Sequence, residues 1–305
     1  MENQPPAPNE GRFRQLLAEA GKQRGRFDRR LERIAGQKFL SRDELPEHLL
    51  IGLSYLASIQ HRAILLLLSD GLTSYAAEIQ SRGLLEFLAH VAFVLGKETD
   101  APVGTARQRA ICLSLARARE EYQTMRSAED LGKVEAGTAA GALERVDLYN
   151  GLHRREGCPW GSRPWACVVA GKPCKHRSQW PCRDGQNPRP RTMVKYTLEL
   201  LSDRIAAPWL VDLYVTSSLL AHQGLLDRIV QPVDGIDTPS AATYRHRATV
   251  LSAALSAYGQ GLGWILEHYS STAAHELSNE WGVIYDLPDY AAAASGEWDS
   301  PATRS

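Results

Sequence analysis

The chain reads as all-α: a multi-helix bundle interrupted by an irregular segment rich in cysteine, tryptophan and arginine. Three observations predict this. Apolar residues recur at helical spacing over most of the 305 residues. Glycine, proline and Asp–Gly breaks divide these stretches into lengths suited to long helices. No pair of alternating segments suggests strands joined by a turn.

Residues 1–10 are polar and proline-rich and are expected to form a disordered tail. From Gly11 to Gly36, Phe13, Leu16, Leu17, Phe27, Leu31 and Ile34 mark the apolar side of a basic amphipathic helix. Ser41 followed by Glu44 has capping-box spacing and opens a long helix to Ser69, with Pro46 near enough to its start to be tolerated. Asp70–Gly71 breaks the chain, and Thr73 to Leu95 forms a second long helix ended by Gly96. Arg107–Met125 and Val134–Tyr149 follow as weaker helices. These complete a first half of the helical core, residues 11–150. An insert occupies 151–192. The second half, 193–286, holds helices at Met193–Ala206, Trp209–Val230, Ala241–Ser270 and Ala273–Ile284, with Gln231–Pro239 as a loop. Residues 287–305 read as a loose tail.

Composition bounds the function. The 35 basic and 35 acidic residues cancel, so no global field favours nucleic acid or membrane. The charge is nevertheless segregated. Arg12 to Lys38 holds nine basic residues against Glu19, Asp28 and Glu32, while the end of the chain is acidic. The first residues lack the apolar core of a secretory leader. The longest apolar stretch, Leu49–Leu68, contains Gln60, His61 and Arg62, which favours a buried helix over a membrane span. The expectation is a cytoplasmic protein without a membrane partner, in a compartment where disulfides are disfavoured. No phosphate-binding glycine loop and no GxSxG elbow is present. Cys112 stands alone in a helix and reads as a small core residue.

Two groups of polar residues on helices are candidates for chemistry. Glu78, Arg82, Glu86 and His90 recur every fourth residue and line one stripe. The stripe is either an exposed ladder of i,i+4 ion pairs or the wall of a pocket. Further on, Tyr214, Ser218 and His222 succeed one another at one-turn spacing, which fits an acid/base histidine or a satisfied core histidine. Glu44-x3-His48 and Glu86-x3-His90 also place a carboxylate and an imidazole on one face, as di-iron bundles do, although the usual Glu-x-x-His is missing.

The segment RGLLEFLAHVAFVLG (82–96), preceded by AILLLLSDGLTSYAAEIQS, resembles one half of an uncharacterised bacterial all-helical family, and LYVTSSLLAH (213–222) resembles the other. That family, a domain of unknown function, is distantly similar to HEPN helical domains. The resemblance covers about residues 45–96 and 193–230. It implies that Arg82, Glu86, Tyr214, Ser218 and His222 converge between two helices. It also implies kinship with RNA-cleaving toxins or defence components. HEPN ribonucleases use a closely spaced arginine and histidine on one helix. Here seven residues separate Arg82 from His90, and the Arg42–His48 alternative contains a proline.

The insert gathers four of the five cysteines, Cys158, Cys167, Cys174 and Cys182, with Trp160, Trp165 and Trp180. From His153 to Lys195 it carries ten Lys/Arg against Glu156 and Asp184. Four thiolates can hold a structural zinc, yet no Cys-x2–4-Cys knuckle is present, and free or redox-active cysteines fit as well. The tryptophans can form a small core or stack on bases, while Arg154, Arg155, Arg163, Arg189 and Arg191 meet phosphates.

The leading expectation is a HEPN-like, nucleic-acid-associated helical protein that cleaves RNA. In that reading Arg82 stabilises phosphate charge, Glu86 orients it and His222 transfers protons. The alternatives are a non-catalytic scaffold or sensor whose insert binds a protein partner, and a metal-dependent helical oxygenase; a homo-oligomer is compatible with each.

Overall fold

A computed structural model describes residues 8–37, 45–70, 73–98, 100, 102, 104–158, 190–205, 207, 209–221, 230–233, 236–239, 244–269 and 275. The fold is all-α. Eight helices run through the described residues in the order α1 (Pro8–Gln37), α2 (Glu47–Leu67), α3 (Ser74–Leu95), α4 (Ala106–Asp130), α5 (Ala140–Arg155), α6 (Pro190–Arg204), α7 (Trp209–Ala221) and α8 (Tyr244–Tyr269). A short ribbon, β1 (Val230–Val233) paired antiparallel with β2 (Ile236–Pro239), precedes α8.

Helix ends follow local chemistry. α1 begins inside the expected tail because Pro8 is tolerated in a first turn and Glu10 complements the helix dipole there. Gly96, at φ 71°, closes α3: its N–H reaches Phe93 O, and the Lys97 N–H reaches Ala92 O at 2.8 Å, the paired bonds of a Schellman stop. Thr105 and Gln108 form a reciprocal capping box at the start of α4. The expected helix to Val230 is not continuous with that residue, which lies in β1. Between β1 and β2 the sequence reads Asp234–Gly235, the strongest short hairpin signal, flanked by Val230, Val233 and Ile236.

The chain groups into two compact units. The first comprises Met1–Phe39, Ile51–Leu88 and Ala206–Ser305. Its core is built by rows at three- and four-residue spacing: Phe13, Leu16, Ala20, Phe27 and Leu31 on α1, and Ala57, His61 and Ile64 on α2 with Leu68 just past its end. Tyr258 of α8 is fully buried at the centre, with ring centroids 6.1 Å from Phe27, 4.9 Å from His61 and 6.3 Å from Phe87. Its hydroxyl donates to Asp28 at 3.2 Å, which also accepts from Ser58 and pairs with Arg24. α2 is long and apolar enough to cross a membrane by length and composition. Its opposite face leaves Tyr55, Leu56, Ile59 and Leu66 exposed.

The second unit comprises Leu40–Leu50 and Ala89–Ile205. α4 and α5 pack antiparallel, as the descending partners show: Gln108 with Glu156, Arg119 with Asn150, Arg145 with Glu121, and Glu129 with the Ala139 N–H. Leu115, Ala118 and Val146 fill the seam, flanked by Tyr122 and Tyr149. α5 extends to Arg155, so the first residues of the expected insert are helical.

Candidate functional site

The polar stripe of α3 does not act as one set. Glu78 is 2 % exposed and stands 3.2 Å from His246 Nε2 of α8. The His246 ring also lies against Tyr75, one turn before Glu78, with centroids 5.2 Å apart. One turn after Glu78, Arg82 Nε donates to Glu86 at 2.9 Å, and its guanidinium sits 5.6 Å from the centroid of the buried Tyr214 ring on α7. His90 belongs to the second unit. Burial, and then the charge of Arg117, push its pKa down to about 3, so it is a neutral imidazole at physiological pH.

Arg82, Glu86 and Tyr214 thus meet in the first unit. Ser218 shares α7 with Tyr214, and its hydroxyl donates to the Tyr214 carbonyl at 2.6 Å, one turn back along the helix. His222 lies outside the described residues, as do Arg42 and Glu44. His48 is exposed at the start of α2. Among the described residues no three His, Cys, Asp or Glu side chains gather as metal ligands.

Beside this cluster a cleft of about 350 Å³ opens between α3, α7 and α8. Its lining includes Glu78 of α3, Trp209 and Asp212 from the first turn of α7, and His246 of α8. Leu213, Val250 and Ala253 form its apolar wall. Sequence reading reached Glu78 through its spacing but passed over His246, Trp209 and this use of Asp212. α8 begins Tyr244–Arg245–His246–Arg247, and no local pattern marks which of these turns toward α3.

Of the four insert cysteines, Cys158 is described and the other three lie outside the described residues. Cys112 is a buried core residue of α4, as expected, and Cys158, beyond the end of α5, is buried beside it. The Cys112 thiol donates to Cys158, and that bond, reinforced by burial, raises the Cys112 pKa far above its ordinary range. The same bond lowers the Cys158 pKa, against the opposing effects of burial and Glu156. Arg154 and Arg155 are exposed at the end of α5, and Arg191 stands in the first turn of α6. Arg163 and Arg189 lie outside the described residues.

No protein-family model, no curated protein and no solved structure matches this chain.

Proposed function

We propose that the protein is a nucleic-acid-associated helical protein, HEPN-like by resemblance, that binds RNA through the outer face of α1. The observation that carries this reading is how α1 sorts its charges. Arg12, Arg14, Lys22, Arg26 and Arg29 are exposed, while the apolar row faces the core. Three of its four acidic residues are engaged locally, Glu10 by Arg14, Glu19 by Lys22 and Asp28 by Arg24, and the fourth, Glu32, is exposed. Lys22, Arg26 and Arg29 fall on one stripe at i, i+4 and i+7 over about two turns; Lys22 is shared with Glu19, so Arg26 and Arg29 carry most of its positive charge. Such a row neutralises phosphates whatever the base sequence.

Association is better supported than cleavage. Arg82 is held by Glu86 and Tyr214. The neighbouring cleft is lined by Glu78 and Asp212, which repel a phosphodiester. A structural zinc in the insert and a protein partner for it stay within the reading but carry none of its weight.

The test is fluorescence anisotropy with a single-stranded RNA between about 50 and 200 mM salt. Affinity is expected to fall steeply with salt. The double variant Arg26→Glu/Arg29→Glu is expected to bind at least tenfold more weakly with a shallower salt slope, each lost phosphate contact removing roughly 0.7 from it. Equal affinity in wild type and variant would sink the reading. Any cleavage that survives Arg82→Ala removes that residue from the chemistry.

A further inference from the structure

Gly157, at φ 58°, ends α5 in the left-handed region. Its N–H reaches Arg154 O and the Cys158 N–H reaches His153 O, both at 3.3 Å, the paired bonds of a Schellman turn. This turn is clamped onto the start of α4. Gln108 Nε2 donates to the Glu156 carbonyl at 2.9 Å, and Arg107 Nε pairs with the Glu156 carboxylate at 3.2 Å. Cys158 is thereby carried onto α4, where its Sγ stands 3.9 Å from the Gln108 carbonyl oxygen. Cys112 lies one turn further along α4 on the same face, and side chains of a helix lean back toward its N-terminus. The two thiols meet over that turn, Cys112 donating to Cys158. Both residues belong to the second unit.

Two free thiols in contact can be joined, provided an oxidant reaches one of them. Cys112 is 2 % exposed and Cys158 9 %. Cys158 therefore shows an edge to a molecule as small as a peroxide, while Cys112 is closed off. That is the division between an attacking and a resolving cysteine. Neither thiol belongs to a gathering of three possible metal ligands among the described residues. Cys158 is also the first of the four cysteines that run to Cys182, so a bond to Cys112 ties the start of that run to α4.

We propose that Cys112 and Cys158 form a reversible disulfide, a peroxide-sensitive modification site that staples the terminal turn of α5 to α4. The Cys158 sulfur attacks one oxygen of hydrogen peroxide; the O–O bond breaks, water leaves and Cys158 becomes a sulfenic acid. The Cys112 sulfur then displaces the sulfenic hydroxyl as a second water. One S–S bond forms, both S–H protons depart in the two waters, the two sulfurs are oxidised and the peroxide is reduced. A small thiol reverses the step by exchange. The site is separate from the basic face of α1 and stands whether or not the chain binds RNA.

The full chain is first reduced, then titrated with hydrogen peroxide without denaturant. Free thiols are blocked, and the peptides are mapped by mass spectrometry without reductant. The linked Cys112–Cys158 peptide is expected as the first disulfide to appear, with loss of both free thiols, and dithiothreitol is expected to restore them. Cys158→Ser is expected to leave Cys112 a free thiol at the dose that links wild type. Cys112→Ala is expected to drive Cys158 on to sulfinic acid, which dithiothreitol does not reverse. The variant Cys167→Ser/Cys174→Ser/Cys182→Ser is expected to link Cys112 to Cys158 as wild type does. Should a variant fail to fold, the wild-type map decides alone. The proposal is overturned if Cys158 is linked to Cys167, Cys174 or Cys182 while Cys112 stays reduced. It is equally overturned if both thiols stay free, or if they are joined only in denaturant.

Discussion

Arg247 is 6 % exposed, and burying a guanidinium is costly unless its donors are used. It donates through Nε and Nη2, at 3.2 and 2.6 Å, to the Leu68 carbonyl just past the end of α2. Helix C-terminal carbonyls lack partners within the helix, and a forked donor suits them. The face of the guanidinium lies 4.4 Å from the Phe13 ring centroid. Arg109 does the same work in the second unit, donating to Val94 O at 3.0 Å at the end of α3 and to Gly104 O at 2.7 Å. Burial pushes both guanidinium groups down from their ordinary value. Arg247→Lys keeps the charge but loses the fork. It is expected to lower stability by about 1–3 kcal/mol, read as an earlier urea midpoint. An unchanged midpoint would show that Arg247 does not act as this cap.

At the scale of elements, close approach of helices depends on glycine at one position above the rest. A Cβ built on Gly261 of α8 comes within 2.5 Å of the Phe87 ring of α3, a side chain only 3 % exposed. In an exposed helix Gly→Ala stabilises by about 1 kcal/mol. Here the ring has little space to retreat, so the sign reverses, and Gly261→Ala is expected to cost about 1–3 kcal/mol through overpacking. A raised melting temperature would contradict this. Gly83 meets Gln60 more closely still, but that contact is the far end of a flexible, half-buried side chain. Much of the element level was legible beforehand. The period of α1, the break at Asp70 and the stop at Gly96 rest on neighbours in sequence. The β1–β2 pairing was not: Gln231–Pro239 reads as a loop, although Asp234–Gly235 is a hairpin signal, and Pro232 and Pro239 are residues that strands disfavour.

For the whole molecule, the two units titrate differently. In the first, His61 is fully buried, and neither ring nitrogen has a hydrogen-bond partner among the described residues. Burial, with the charge of Arg24, pushes its pKa down to about 3 from 6.5. The unfolded chain therefore takes up this proton at higher pH than the folded one. The stability His61 contributes is present above pH 6.5 and is lost as pH falls toward 3. In the second unit His90 acts in the same sense, but Glu98 opposes it. Burial raises the Glu98 pKa from 4.5 to about 7, so its contribution is present below pH 4.5 and lost as pH rises through 7. Between pH 4.5 and 6.5 the two nearly cancel. Acidification from 6.5 to 4.5 is expected to destabilise the first unit by about 2 kcal/mol and the second far less, since each titrating group changes stability by about 1.4 kcal/mol per pH unit. Hydrogen exchange corrected for its intrinsic pH dependence checks this, by comparing peptides from α1 and α8 with peptides from α4 and α5. Equal loss of protection in both sets would refute it. At pH 8 the second unit is expected to gain stability from Glu98→Gln.

The sequence by itself determined the helical class, most helix positions and the basic character of α1. Each of these rests on interactions within a few residues: the 3.6-residue period, glycine stops and charges one turn apart. It also placed Glu78, Arg82, Glu86 and His90 on one stripe. Only the tertiary structure decided what that stripe does. Arg82 turns to Glu86 and Tyr214, His90 enters the second unit, and Glu78 meets His246, a residue 168 positions away. Which side chains are buried, and against which partner, depends on how distant helices pack. No periodicity within one segment encodes that choice.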